Sequence, residues 1–178
     1  MVKREKRRPV VFVSKCLGFK ACRYNGKIVR DKFIKKLKRR VTFVTRCPEL
    51  EIGLGVPRDP VRIVSVKGGR RLVQPATGLD FTKRMEKKCR EIAGALGAVD
   101  AFILKSRSPC CGLRDAKIYS TPDSAAPTGK SAGFFGRVVL ERFPRLPVED
   151  DVRLKDPRRR ARFLARLFGV RKKACFSR

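Results

Sequence analysis

Three cysteines, Cys16, Cys47 and Cys111, each follow a short apolar run that reads as a buried strand, at residues 9–13, 41–44 and 99–104. If these runs are parallel neighbours in one sheet, the three thiols arrive together at its carboxyl edge, where open α/β sheets bind ligands. Three converging thiolates, in a chain with no histidine, point to a thiolate-held metal centre with one coordination position left open.

The elements that must position them can be followed along the chain. The first strand runs into Ser14-Lys15-Cys16 and a loop through Gly18, Cys22, Arg23, Tyr24, Asn25 and Gly26, where Asn-Gly marks a tight turn. Asp31 is placed to cap a helix over 32–40 with Phe33, Ile34 and Leu37 on its buried face. The second strand, 41–45, delivers Cys47-Pro48-Glu49. Gly53, Gly55, Pro57 and Pro60 then exclude a regular helix and permit close backbone approach to a ligand. Residues 63–66 and 71–73, around Gly68-Gly69, form an expected hairpin. Asp80 and Thr82 precede a helix reaching about residue 96, stopped by Gly97.

The third strand, 99–104, delivers Ser106-Arg107-Ser108-Pro109-Cys110-Cys111-Gly112. Residues 121–129 read as a flexible loop, 133–142 as a helix and 146–148 as a last strand. Pro157 opens a basic amphipathic helix with Phe163, Leu164, Leu167 and Phe168 on one side. This alternation predicts a three-layer, Rossmann-like α/β domain with a mainly parallel sheet over residues 9–155. A basic leader, 1–8, precedes it, and a basic helix with a frayed tail, 156–178, follows.

Charge and cysteine usage bound the partners and the compartment. Lys and Arg number 46 against 16 Asp and Glu, a formal net charge of +30. Such an excess attracts polyanions and favours a nucleic-acid partner; adaptation to heat usually adds acidic residues as well. The lack of histidine excludes Ser-His-Asp and Cys-His nucleophile systems and His-ligated zinc hydrolases. With no Trp and two Tyr, base stacking falls to Phe and Arg. Seven cysteines, two of them adjacent, make no disulfide framework, so a reducing cytoplasm is expected. No apolar run is long enough for a bilayer, and the charged opening has no signal-peptide core.

The ordered strings VSKCLGFKACRYNG, CPELEIGLGVPRDP, LVQPATG, ILKSRSPCCG and GFFG…LERFPRLPVED resemble the TudS-like thiouracil desulfurase family, and most of all its tRNA-directed, RudS-like branch of 4-thiouridine desulfidases. The resemblance covers nearly the whole chain. It implies a 4Fe–4S cluster held by Cys16, Cys47 and Cys111, with one iron not bound by protein and free to take the substrate's sulfur. It implies Glu49 as acid/base and Ser108 as a substrate-positioning or proton-relaying group. The reaction it implies turns a thiocarbonyl into a carbonyl with release of sulfide and no net electron transfer.

Arg23, Tyr24, Arg58 and Arg107, with Arg62 nearby, are the expected substrate contacts. Cys110 stands where the family usually has serine and is expected to be a buried small residue. Cys22 is expected as a buried loop thiol, with a fourth-ligand or sulfur-acceptor role as the alternatives. Cys89 and Cys175 are expected to be inert. The branch usually continues into a helical second domain, so a truncated gene, a separately encoded helical partner or a compact self-sufficient form would each fit. Two other readings stand beside a tRNA substrate. One is desulfuration of free thiouracil-type bases; the other is an RNA-binding protein with a structural zinc, which the lack of closely spaced Cys pairs disfavours.

Overall fold

The computed structural model describes residues 7–173. At its centre β1 (Val10–Ser14), β2 (Thr42–Arg46), β6 (Ala101–Leu104) and β9 (Val148–Asp150) form a parallel sheet in the order β2-β1-β6-β9. Val11, Phe12, Val13, Phe102, Ile103 and Leu104 are all buried, as a parallel sheet covered on both faces requires. Ser14 lies level with Arg46, Val13 with Ile103, and Leu104 with Asp150. The carboxyl ends of all four strands therefore share one edge.

Helices cover both faces. On one, Val11, Val13, Ala101 and Ile103 pack against Ile34 and Leu37 of α1 (Lys32–Leu37) and Phe163 and Leu167 of α5 (Pro157–Lys173). On the other, Phe12, Phe102 and Leu104 meet Met85 and Ile92 of α3 (Thr82–Gly94) and Phe135 and Val139 of α4 (Phe134–Arg142). The rings of Phe12 and Phe135 lie 5.1 Å apart, within the range of favourable aromatic pairs. The three-layer arrangement with a mainly parallel sheet is as expected.

A second sheet joins this larger core through Ile63 and Leu72. Its order is β5 (Leu79–Asp80), β4 (Gly69–Gln74), β3 (Arg62–Val66), β7 (Ala116–Tyr119), β8 (Gly129–Ser131), antiparallel except for β3 with β7. Only its β3–β4 hairpin was expected. The other strands are two to four residues long and mostly polar or exposed, so alternation gives no signal.

Boundaries differ modestly. Asp31 does cap α1, accepting from Phe33 and Ile34 at 2.8 and 2.9 Å, but the helix ends at Leu37 rather than 40. The last strand lies two residues later than 146–148. A one-turn helix, α2 (Pro48–Glu51), was not expected. Of the basic leader, Arg7 donates to Asp100, whose carboxylate also accepts from the Val10 amide at 2.7 Å. Residues 1–6 of the leader, and residues 174–178 with Cys175, lie outside the described residues. Among those described, no helix is long and apolar enough to cross a membrane.

Candidate active site at the carboxyl edge of the parallel sheet

The polypeptide turns sharply where β1 ends: the Leu17 amide donates to Ser14 O at 2.8 Å, presenting Cys16 just beyond the sheet. Ser14 Oγ accepts from the Lys105 amide at 3.0 Å and ties the end of β1 to the end of β6. The 18–28 loop is folded back by a bond from the Val29 amide to Cys16 O at 2.9 Å, which buries Cys22. Cys47 is the N-cap of α2, with Pro48 at the first helical position, where its missing N–H costs nothing.

These turns put Cys22 beside both Cys16 and Cys47. The Cys22 thiol is pushed up to about 11, first by the neighbouring Cys16 thiol; Cys47 partly offsets this, and burial adds to the rise. Cys47 is pushed well above the usual thiol range by Cys22 and by burial. Near neutral pH both therefore keep their protons until something that binds thiolate displaces them.

Glu49 forms an ion pair with Arg58, the two side chains being 13% and 6% exposed. Arg58 Nε donates to Glu49 Oε2 at 3.2 Å, Nη1 donates to Gly55 O at 2.9 Å and Cys22 O at 3.2 Å, and the Arg58 amide donates to Tyr24 O at 2.8 Å. One guanidinium thus fastens α2, the Gly55 turn and the Cys22 loop together. Arg58, expected among the substrate contacts, is spent within the protein. Arg23 and exposed Tyr24 lie on the same loop, the guanidinium 5.8 Å from the ring.

The loop after β6 is held from behind. Ser108 Oγ accepts from the amides of Cys110 and Cys111 at 3.2 and 3.0 Å. Amides at the start of α4 bond to the same loop: Gly133 to Gly112 O at 2.8 Å, Phe134 to Pro109 O at 3.1 Å, and Phe135 to Cys110 O at 2.9 Å. Cβ atoms on Gly133 and Gly136 would lie 2.4 Å from Cys110 O and 2.1 Å from Gly112 O, so only glycine allows this approach. Cys110 is fully buried, its sulfur 3.6 Å from Met85 Sδ, and burial followed by Cys111 and Cys89 raises its pKa. Cys111 packs in this larger core, whereas Cys16 and Cys22 belong to the core on the α1–α5 side. Arg107 is exposed with φ 57°, its amide donating to Asp115 Oδ1 at 2.9 Å. Arg62 is engaged on the second sheet by Pro122 O, Ser124 O and the Tyr119 ring.

The structure therefore gathers Cys16, Cys47 and Cys22, with Glu49 two residues from Cys47, and sets Cys111 beside Cys110. Cys22 is the buried loop thiol that was expected, and its place beside Cys16 and Cys47 keeps the ligand alternative open. Sequence reasoning missed one feature. Lys105 Nζ pairs with Asp151 Oδ2 at 2.8 Å, 17% and 7% exposed, while Asp151 Oδ1 accepts from the Ser106 amide at 2.7 Å. This largely buried pair joins the ends of β6 and β9; the acidic run at 149–151 at a strand end was its only signal.

Comparison with known proteins places the chain. The family described as 2-thiouracil desulfurase matches residues 11–151. The uncharacterized protein YbbK of Bacillus subtilis (strain 168) is 37% identical over 110 residues, 58% of this chain and 73% of that protein. The solved structure of the 4Fe–4S-dependent thiouracil desulfidase TudS superposes with a TM-score of 0.62 at 24% identity, covering 84% of this chain and 94% of that one.

Proposed function

The chain belongs to the 2-thiouracil desulfurase family, and from that membership we propose that it desulfidates a thiolated uracil, 4-thiouridine carried in tRNA, to give the oxo base and sulfide. The observation that carries this reading is the level ending of β1 and β2 at the carboxyl edge of the sheet, which delivers Cys16 and Cys47 there, with Cys22 beside each and Glu49 two residues past Cys47. In the net reaction the C=S bond breaks, a water oxygen replaces sulfur on carbon, and both water protons leave with sulfur as hydrogen sulfide. No electrons are gained or lost.

The donor set suits a 4Fe–4S cluster such as the one on which TudS depends. Its ligands are soft thiolates without imidazole. Among the described residues, no group of three Cys, Asp or Glu is set to hold a single ion; the structural-zinc reading is disfavoured by the lack of closely spaced Cys pairs. When bound, a cluster with one iron free of protein ligands supplies a Lewis acid for the thiocarbonyl sulfur. Cys16 and Cys47 anchor it in either of two readings. The motif makes Cys111 the third ligand, while placement against both anchors favours Cys22.

Glu49, oriented by Arg58, is the base that takes a proton from the attacking water. Ser108 Oγ already accepts two backbone N–H bonds, so its own proton is free to be donated to the thiolated uracil. The +30 charge supports a polyanionic substrate over a free base. The family's description favours the second reading, free 2-thiouracil.

The test is anaerobic iron loading followed by turnover of 4-thiouridine tRNA and of free 2-thiouracil. Glu49→Gln is expected to keep its iron and lose at least ~100-fold in rate. Of Cys22→Ser and Cys111→Ser, the variant of the third ligand binds less iron. Full rate in Glu49→Gln removes the base assignment. Fast, salt-insensitive turnover of free base with tRNA untouched removes the tRNA substrate.

A further inference from the structure

The positive charge is distributed unequally between the two helical layers. On α3, Lys87 and Lys88 pair with Glu91, and on α4 Arg137 pairs with Glu141. Among the described residues, the opposite layer has no such pairing within its helices. Residues 32–40 contain no acid and six exposed cations, among them Lys35, Lys36 and Arg40. Residues 157–169 also contain no acid, and expose Arg158, Arg159, Arg162 and Arg166. The bordering carboxylates are Asp31, which caps α1, and Asp156, which caps the start of α5 and pairs with Arg159 at 3.5 Å.

The two helices present one surface. Arg160 stacks on Phe33 at 5.1 Å and Arg40 on Phe168 at 4.3 Å, so α1 and α5 run side by side in the same direction. Arg158, Arg162 and Arg166 advance about one helical turn, ~6 Å, at each step. The layer closes over the same core cluster that holds Cys16 and Cys22.

Unpaired like charges repel and weaken the fold, so a layer built of them is explained by a partner that neutralises it. None of the exposed large hydrophobics lies on α1 or in the described part of α5. That removes the apolar anchor an amphipathic helix uses on a bilayer. We propose that the α1–α5 face docks the phosphate backbone of RNA and so sets the orientation in which a thiolated base reaches the neighbouring carboxyl edge. This rests on the RNA reading of the substrate given above.

The test follows binding of unmodified tRNA to the iron-loaded full chain by fluorescence anisotropy across a salt series. Lys35→Gln/Arg158→Gln/Arg162→Gln is compared with Lys83→Gln/Lys87→Gln/Arg90→Gln on α3, which removes equal charge from the opposite layer. Glutamine keeps helix propensity, and matched melting temperatures check the fold. The first triple is expected to lower the salt-dependence slope by about two and weaken binding roughly tenfold at low salt. The α3 triple is expected to change affinity less than twofold. Equal losses in both triples, or undiminished binding by the first, overturn the proposal. Loss of binding to phosphatidylserine vesicles by the first triple, with tRNA binding intact, assigns the face to membranes and also overturns it. If the wild type desulfidates free thiouracil and leaves tRNA untouched, the substrate reading fails while the tRNA-binding comparison still decides the surface.

Discussion

Arg58 holds the candidate site in shape through a contact that water scarcely reaches. Its side chain links Glu49 to the carbonyls of Cys22 and Gly55, so losing it leaves a nearly buried carboxylate without a counter-ion and releases the Cys22 loop. Arg58→Ala is expected to cost about 3 kcal/mol in denaturant unfolding. Arg58→Lys recovers little, because a point charge cannot serve three acceptors from one planar fork; a loss below ~1 kcal/mol would show that the clamp is dispensable. Cys16, Cys47 and Glu49 were legible in the sequence because strand ends and Cys-Pro-Glu mark them locally. The place of Cys22 was not, since it depends on the Val29–Cys16 backbone bond that folds its loop back. Arg58 was legible as a site-loop cation, but its partners depend on the path of the Gly55 turn.

Among the elements, the start of α4 has the most specific task. Its amides, which would otherwise lack partners, bond to the carbonyls of the 109–112 loop that carries Cys111, and Gly133 and Gly136 let the two backbones touch. Gly136→Ala is expected to destabilise by roughly 2 kcal/mol or more through overpacking against Gly112 O. Gly94→Ala, where an added methyl meets nothing within 4 Å, is the control and is expected to be neutral or stabilising. Equal melting temperatures for the two variants would contradict the close-approach argument. The helices were legible from apolar spacing and from caps such as Asp31. The small second sheet was not: β5, β7 and β8 are too short to alternate, and their pairing is set by long-range packing on the β3–β4 hairpin. The glycines of GFFG gave a family motif, while their packing partners, Cys110 and Gly112, had no local signal.

Taken as a whole, the molecule has its candidate site where a parallel sheet ends and its uncompensated charge on the layer beside that edge. The sheet order β2-β1-β6-β9 makes the strand ends meet, a consequence of the alternating strand and helix pattern visible in the sequence. The distribution of charge was not visible there, because +30 is a sum, and only packing reveals which cations have carboxylates opposite them. The chemistry proposed for the cysteine-bearing edge is hydrolytic removal of sulfur. The most direct measurement is turnover of 4-thiouridine tRNA by the iron-loaded protein in oxygen-18 water, with sulfide and base products quantified beside Cys47→Ser. One sulfide and one labelled carbonyl oxygen are expected per base converted, and neither product from Cys47→Ser. Unlabelled product, sulfur lost without sulfide, or undiminished turnover by Cys47→Ser would contradict that chemistry.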